Sequence, residues 1–407
     1  MNNILKYIAL GTAAVVCFSS CLKDLDTTPL NETDFTSEKA YSDPANYLNG
    51  LAYIESYMTH VSQDDPGSSD ISKGDAGASE FIRQYTNLNE MSADTYKCSW
   101  GDSEVNGIQY NTWTAADNAS IFAVYTRSMK AITLVNEFLL QTTDDKLAAR
   151  GHQSHAADVA QYRAEARFMR AFFYYVLMDL YGNPPFATPE CIGGANPEQI
   201  GREALAEWID EELTDLVSDA SALPARGAVP YPRPTKGAAQ GLMAKLYLNW
   251  AVYTGTERWA DAKEAAAKTI AMGYTLHPKY NELFLQDNGE NCGNDEFIFC
   301  ADYDKDCCQS WGGTTHLISG FLNEAANSKI AELAGIQGSS PVIGFPGEKW
   351  EGYHVSPDYA ARFDLKDVQW GGTGFGYDRD NSDARAFFFN EGQDETFEAG
   401  THKTGWI

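Results

Sequence analysis

The residue best placed for ligand chemistry is Trp100, because polar side chains surround it in the sequence. Asp102 and Asn106 follow it at short spacing, and Arg83 precedes it in the same irregular stretch. Sugars have apolar ring faces and hydroxyl rims, so they bind where an aromatic ring is flanked by hydrogen-bonding groups. The spacing therefore indicates a ligand-binding role for these four residues, without covalent chemistry.

Further aromatic residues occur in the Gly-, Asn- and Asp-rich sequence beyond about 287, and Trp311 has little sequence around it to bury it. These residues form a second set of candidate ligand-binding side chains: Trp311, Trp350, Tyr353 and Trp370. Other tryptophans stand beside or within helical patterns, and we expect them to serve packing: Trp113, Trp208, Trp250 and Trp259.

The sequence lacks the motifs of common enzyme classes. Hydrolysis of a glycosidic bond needs two placed carboxylates, but among 57 Asp and Glu residues some pair always has a plausible spacing. No GxSxG elbow, HExxH helix or GxxxxGK[ST] loop occurs. We expect no catalytic residues, no cofactor and no enzyme activity.

Two stretches imitate metal sites only in part. The Asp-x-Asp-x-Asp run from Asp302 resembles the start of a calcium loop, but Cys307 stands where the loop needs Gly and Gly313 where it needs Glu. His152 and His155 lie in polar sequence without a Glu at metal-ligand spacing. We therefore expect no bound metal.

Six cysteines follow Cys21, and four of them lie between Cys292 and Cys308. Their spacing is not that of a zinc site, and the adjacent Cys307 and Cys308 are poorly suited to share one tetrahedral ion. An exported protein could oxidise them, with Cys292–Cys300 as one pairing, but the sequence leaves the connectivity open.

The first twenty residues have the pattern of a secretory signal. Lys6 precedes an apolar segment that ends at Phe18 and is too short to span a bilayer. The Phe-Ser-Ser-Cys sequence ending at Cys21 resembles a bacterial lipobox, although Phe18 stands where Leu is usual. We predict a signal peptide over 1–20, a lipid anchor at Cys21 and a polar tether over 21–36. An acylated Cys21 would hold the protein on a membrane.

Composition limits the class of partner. With 407 residues, 43% of them hydrophobic, the chain can bury the core of one large domain or two closely packed ones. The formal net charge of −27 repels phosphate backbones, so we expect no nucleic-acid partner.

Helical periodicity dominates residues 38–60 and 117–286. Val159, Met169 and Val176 share one helix face, and Phe168 and Phe172 form a second, which predicts a helix buried on two sides. Gly182 should end this helix. Further on, a helix starting at Thr235 and an Ala-rich helix starting at Trp259 form a unit of about the 34-residue tetratricopeptide length.

These patterns predict an all-α-dominated fold, a tetratricopeptide-like scaffold of stacked helix pairs. The pattern is lost over about 62–115 and 287–407, where Gly, Asn, Asp and Ser are dense. Long irregular excursions inside a compact domain are more often functional than idle. We expect these two stretches to form a loop-rich ligand-binding region.

The segment YRAEARFMRAFFYY, from Tyr162 to Tyr175, continues into DLYGNPP, which ends at Pro185. Supporting segments are PTKGAA at 234–239, AKLYL at 244–248, WADA at 259–262 and NDEFIF at 294–299. Together with the lipobox, these segments resemble the SusD/RagB family of starch-utilisation-type outer-membrane lipoproteins. The resemblance covers nearly the whole chain, with one SusD-like domain over 37–407.

The resemblance implies a lipoprotein on the outer membrane, facing the cell exterior, that captures glycans and delivers them to a TonB-dependent transporter. Family members usually continue past the Gly-Trp region into further helices, which this sequence lacks after Gly405. A fragment, a truncated product or a shortened variant would each explain this. Two alternatives stay open on the sequence: a surface glycan hydrolase and a tetratricopeptide-type adaptor for proteins or peptides.

Overall fold

The computed structural model describes residues 36–62, 67–71, 77–114, 118–194, 196–284, 287–290, 294–303, 310–322, 350–356, 359, 361–363, 373–375 and 389–391. The chain divides into two units, Met1–Asn46 and Tyr47–Ile407. The predicted signal peptide, the lipid-anchor residue Cys21 and nearly all of the predicted tether lie outside the described residues, as does Trp370.

Helices account for most of the described chain. Their bounds are α1 Ser37–Ala40, α2 Ala45–Ser56, α3 Phe81–Thr86, α4 Ser103–Gln109, α5 Ala119–Gln141, α6 Asp144–Ala149, α7 Ala156–Tyr181, α8 Arg202–Val217, α9 Lys236–Leu248, α10 Trp250–Thr254, α11 Trp259–Ala271, α12 Asn294–Glu296 and α13 Gly313–Phe321. The helical part of the described chain also includes six short 3₁₀ or π turns: Gly77–Ser79, Asn87–Met91, Gln153–His155, Pro189–Cys191, Tyr280–Phe284 and Ala361–Phe363.

The long helices pack in sequence order. Helix α5 packs against α7, α7 against α8, α8 against α9, and α9 against α11. This order is that of a stack of helix pairs, in which each pair buries its apolar face on the next. The predicted tetratricopeptide-like scaffold is therefore confirmed.

Helix α7 is buried on two sides, as its sequence predicts. Phe173 meets Phe81 edge to face with ring centroids 5.3 Å apart, and Tyr174 meets Trp208 at 5.2 Å. The helix ends where Gly182 takes a φ of +81°, a conformation that an L side chain rarely adopts. The predicted end of this helix is confirmed.

Ion pairs join the packed helices. Arg167 and Arg170 of α7 both donate to Glu212 of α8, over 2.9–3.0 Å. Glu165 of α7 is fully buried, and Arg233 donates to its two oxygens over 2.9 and 2.6 Å. Removing one partner of such a buried pair leaves an uncompensated charge, so these contacts fix how the helices are placed.

Two small antiparallel sheets lie among the loops. Strand β1 (Tyr96–Cys98) pairs with β2 (Tyr353–Val355), with Cys98 opposite Tyr353, and β3 (Thr373–Phe375) pairs with β4 (Phe389–Glu391). The first pairing joins segments more than 250 residues apart. It brings Trp350 and Tyr353 to the neighbourhood of Trp100.

The region 62–115, predicted to be irregular, contains helices α3 and α4, a π turn and strand β1. The periodicity is invisible because these helices have only six and seven residues. Each is about two turns long, too short to repeat an apolar face. Helix α4 contributes Val105 and Ile108 to the core cluster around Met91 and Tyr96, whereas Phe81 of α3 packs against Phe173 of α7.

Two tryptophans predicted to pack are exposed, so that prediction is wrong for them. Trp113 is 51% exposed because it follows a tight turn in which Asn111 has a φ of +52° and the Thr112 N–H donates to the Gly107 carbonyl. Trp259 is 57% exposed because α11 buries Ala262, Ala265 and Thr269 instead. None of the described helices is both long enough and apolar enough to cross a membrane.

Candidate ligand-binding site

Three indole rings stand in series at the sheet formed by β1 and β2. Trp311 and Trp350 have ring centroids 6.2 Å apart at an interplanar angle of 51°, and Trp350 and Trp100 are 6.4 Å apart at 55°. All three side chains are half-buried. We call Trp311, Trp350 and Trp100 the tryptophan row. Each of the three residues is therefore partly packed and partly accessible to solvent.

Backbone hydrogen bonds hold the tryptophan row together. The Trp350 N–H donates to the Ser319 carbonyl over 2.8 Å, and the Trp100 indole N–H donates to the Trp350 carbonyl over 3.3 Å. The Ser99 N–H donates to the Gly352 carbonyl over 2.7 Å. Trp100 is therefore fixed to the Trp350 segment through both its ring and its neighbouring backbone.

Glycine at position 352 is required by the close approach of Trp100. A Cβ atom on Gly352 would overlap the Trp100 indole, and one on Gly320 would overlap the Tyr353 ring. Both glycines lie beside backbone bonds of the site, since the Gly352 N–H donates to the Gly320 carbonyl over 2.9 Å. The indole thus lies directly against main chain, a contact that any larger residue would break.

Arg83 contacts two members of the tryptophan row, Trp311 at one end and Trp350 in the centre. Its Nη1 donates to the Trp311 carbonyl over 3.0 Å, and its Cζ lies 5.9 Å from the centre of the Trp350 ring. The first contact fixes the backbone of Trp311, and the second places a cation over the central indole. The predicted candidates Arg83, Trp100, Trp311 and Trp350 therefore lie together although the sequence separates them widely.

Tyr353 supports the row from beneath. It is 1% exposed, and its ring meets Trp100 edge to face at 5.0 Å, with Tyr96 and Phe321 also in contact. The sequence suggests an aromatic side chain that faces ligand, but burial leaves this ring no open face. Its place under Trp100 gives it a packing role.

Asp102 and Asn106 follow Trp100 closely in the chain, at the start of α4 and within it. Asp102 is exposed at the N-cap position of α4, two residues after Trp100. Asn106 accepts from Gln109 Nε2 over 2.8 Å, and the same Gln109 amide donates to the Cys98 carbonyl. Asn106 therefore supports the contact of α4 with β1, whereas the carboxylate of Asp102 is accessible to solvent.

His316 was not among the predicted residues, yet it belongs to the same cluster. It is 1% exposed, its ring lies 4.8 Å from that of Tyr353, and burial together with nearby Arg83 lowers its pKa well below the ordinary value. It is therefore neutral and acts as an aromatic support. The short helix α13 that carries it gave no sequence signal apart from the glycine pair before it.

No three His, Cys, Asp or Glu side chains come together at metal-binding distance within the part of the chain that the structure describes. Of the calcium-like run, only Asp302 belongs to that part. Cys98, Cys191 and Cys300 form no disulfide within the part of the chain that the structure describes. Cys292, the other half of the suggested disulfide, lies outside the described residues, so that pairing stays a prediction.

A family model described as starch-binding and associating with the outer membrane, of the SusD-like type, matches residues 34–248, more than half of the chain. The starch-binding protein SusD of Bacteroides thetaiotaomicron is 33% identical over 328 residues, which cover 77% of this chain. The chain spans 55% of the length of that relative.

Solved structures share the fold. A SusD-like protein of Bacteroides fragilis superposes with a TM-score of 0.59 at 16% identity, over 89% of this chain and 63% of that one. A SusD superfamily protein of Parabacteroides distasonis gives 0.57 at 16% identity, over 92% and 69%. Surface glycan-binding protein A of Bacteroides thetaiotaomicron, solved with laminarihexaose, gives 0.54 at 16% identity, over 78% and 60%.

Proposed function

This chain belongs to the SusD-like family, and from that premise we propose that it is a glycan-binding protein of the cell surface. It would capture an oligosaccharide or polysaccharide on the tryptophan row and release it unchanged. The family is described as starch-binding and outer-membrane-associated. A structural relative holds laminarihexaose, so glucans are the first class of ligand to test.

The observation that supports the proposal most strongly is the arrangement of Trp311, Trp350 and Trp100 beside Arg83. Successive centroids 6.2 and 6.4 Å apart can contact neighbouring sugar rings of one chain. Arg83 brings guanidinium N–H groups, and Asp102 brings exposed carboxylate oxygens, both suited to sugar hydroxyls. The indole rings would contact the apolar faces of the sugar rings, and Arg83 and Asp102 would bind their hydroxyl groups.

We further propose that the protein is anchored through Cys21 and works beside a TonB-dependent transporter. The lipobox-like sequence and the polar stretch after it support the anchor. Several acyl chains on one cysteine would keep the protein on its membrane permanently. A tether over 21–36 would allow the ligand site to stay close to a transporter entrance.

Calorimetry against a panel of oligosaccharides tests the proposal, with maltoheptaose and laminarihexaose as the first members. Saturable binding with a dissociation constant in the micromolar to millimolar range is expected, together with no release of reducing ends over hours. Turnover of any glycan would contradict the proposal and would show that the protein is a glycan hydrolase. Failure to bind any glycan, combined with capture of a peptide, would favour the adaptor.

A further inference from the structure

The carboxyl of Glu80 lies at the contact between two of the chain segments that carry residues of the proposed ligand site, and we call this contact the joint. Glu80 is 0% exposed and precedes α3, the helix that carries Arg83. The other segment includes Tyr303, Trp311 and the start of α13. A buried carboxyl between such segments costs free energy unless its oxygens are bonded.

Three donors from both segments converge on this carboxyl. Its Oε2 accepts the Arg83 N–H over 2.6 Å and the Gly313 N–H over 3.3 Å, and its Oε1 accepts from the Tyr303 hydroxyl. One donor therefore comes from α3 and two from residues more than 220 positions later. No donor on either side could be lost without loosening the joint.

The glycine pair after Trp311 allows this approach. A Cβ atom on Gly312 would overlap the Glu80 side chain, and one on Gly313 would overlap the Tyr303 ring. Gly313 also has a φ of +50°, where an L side chain is strained. Glycine is therefore needed at positions 312 and 313 because Glu80 and Tyr303 occupy the space that a Cβ atom would take.

We propose that Glu80 is a positioning residue for the ligand site, which ties Arg83 to the Trp311 segment without touching ligand itself. This inference rests on the proposed glycan binding. Arg83 in turn donates to the Trp311 carbonyl, so Glu80, Arg83 and the backbone of Trp311–Gly313 form a closed ring of contacts at one end of the row. Loosening Glu80 would separate Trp311 and Arg83 from Trp350.

The charges around Glu80 set how the joint responds to pH. Tyr303 faces it from the segment before α13, Arg127 acts on it from α5, and α3 and α13 offer backbone N–H groups. Burial is the largest effect and raises the pKa to about 7, against the opposing effects of these donors and Arg127. The closed joint therefore favours the neutral carboxyl.

The pKa of Glu80 in the folded protein lies above its value in the unfolded chain. The stability that the neutral Glu80 carboxyl gives to the joint is therefore complete at acid pH and is lost as the pH rises through about 7. Above that pH the Glu80 carboxylate is charged, and separation of the two segments lowers its free energy because water can then solvate it. The Tyr303 hydroxyl can also accept, so its contact survives protonation of Glu80.

The test measures oligosaccharide affinity by calorimetry at pH 6 and pH 9 for the wild type, Glu80→Gln and Glu203→Gln. Wild-type affinity should fall at least threefold between the two pH values, whereas Glu80→Gln, uncharged throughout, should keep one affinity. Glu203→Gln is the control, since it makes the same substitution at an exposed position of α8. It should follow the wild type.

Near-ultraviolet circular dichroism of the ligand-free proteins gives a second readout. The wild-type tryptophan signal should change with a midpoint near pH 7, and Tyr303→Phe, which removes one donor, should move that midpoint upward. If wild type and Glu80→Gln have the same affinity and the same spectrum at both pH values, the inference is overturned. If no glycan binds, the proposed function fails, and the spectra still decide the role of Glu80.

Discussion

At the residue scale, buried and half-buried polar side chains in this protein hold other groups in place. Glu80, Arg83 and Glu165 each bond to groups on a distant segment. Glu55 of α2 differs from them, because its Oε1 is enclosed and has no hydrogen-bond partner among the described residues. Burial and the neighbouring Glu165 raise its pKa to about 8, despite the opposing charge of Arg233.

Glu55 should make stability depend on pH. The pKa of Glu55 in the folded protein lies above the ordinary value. The contribution of its neutral form to the free energy of unfolding is therefore complete at acid pH and is lost as the pH rises through about 8. Glu55→Gln removes the ionisation and should stabilise the protein at pH 9 by on the order of 1–3 kcal/mol, with little change at pH 5. Thermal melts at both pH values measure this.

The control is Glu203→Gln, because Glu203 is exposed on α8. Its melting temperature should match that of the wild type at both pH values. An unchanged difference between pH 5 and pH 9 in Glu55→Gln would show that Glu55 is not the group that titrates.

At the element scale, the pairing of β1 with β2 creates the site. Three residue pairs, Tyr96 with Val355 through Cys98 with Tyr353, bring Trp350 to Trp100 across the fold. Helix α13 adds the Ser319 carbonyl that receives the Trp350 N–H. The row therefore depends on short elements, each stable only because the others hold it.

Gly352→Ala tests this dependence. The added methyl would overlap the Trp100 indole, so the ring must move, and we expect at least a fivefold loss of glycan affinity with helix content unchanged. Calorimetry and far-ultraviolet circular dichroism measure the two quantities. The matched control is Gly101→Ala, where a Cβ meets nothing within 4 Å. Equal affinities in the two variants would contradict the predicted contact.

The sequence predicts the long elements well and the short ones poorly. Repeats in α5, α7 and α9 extend over several turns, so the scaffold and the end of α7 at Gly182 follow from periodicity. The candidates Arg83, Trp100, Trp311 and Trp350 could be chosen by residue type. Their assembly could not, because it depends on a three-residue strand pairing, and Glu80 carries no signal before its partners are known.

At the scale of the whole molecule, the helical stack and the ligand site have separate tasks. The long helices pack against one another, and the tryptophan row is held by β1, β2 and α13, which are short. The predicted anchor, Cys21, stands near the start of the sequence and is followed by a polar stretch that we propose to be a tether. Such an anchor and tether would suit the proposed capture of large ligands at a membrane.

Cys21→Ser tests the anchor. Without the thiol no lipid can be attached, so the protein should leave the membrane fraction and lose labelling by a radioactive fatty acid. Fractionation of cells and labelling of the purified protein measure these. The control is Cys191→Ser, which removes a thiol of the folded domain. Membrane retention of Cys21→Ser at the wild-type level would rule out this anchor.

The most direct test of the account is the affinity of Trp100→Ala for a glycan that the wild type binds, measured by calorimetry beside Trp259→Ala. Trp259 is a 57% exposed tryptophan on α11, outside the row, so its loss controls for removal of an aromatic surface. The account predicts that Trp100→Ala loses at least tenfold, about 1.4 kcal/mol, while Trp259→Ala keeps wild-type affinity. Equal affinities of Trp100→Ala and the wild type would contradict it.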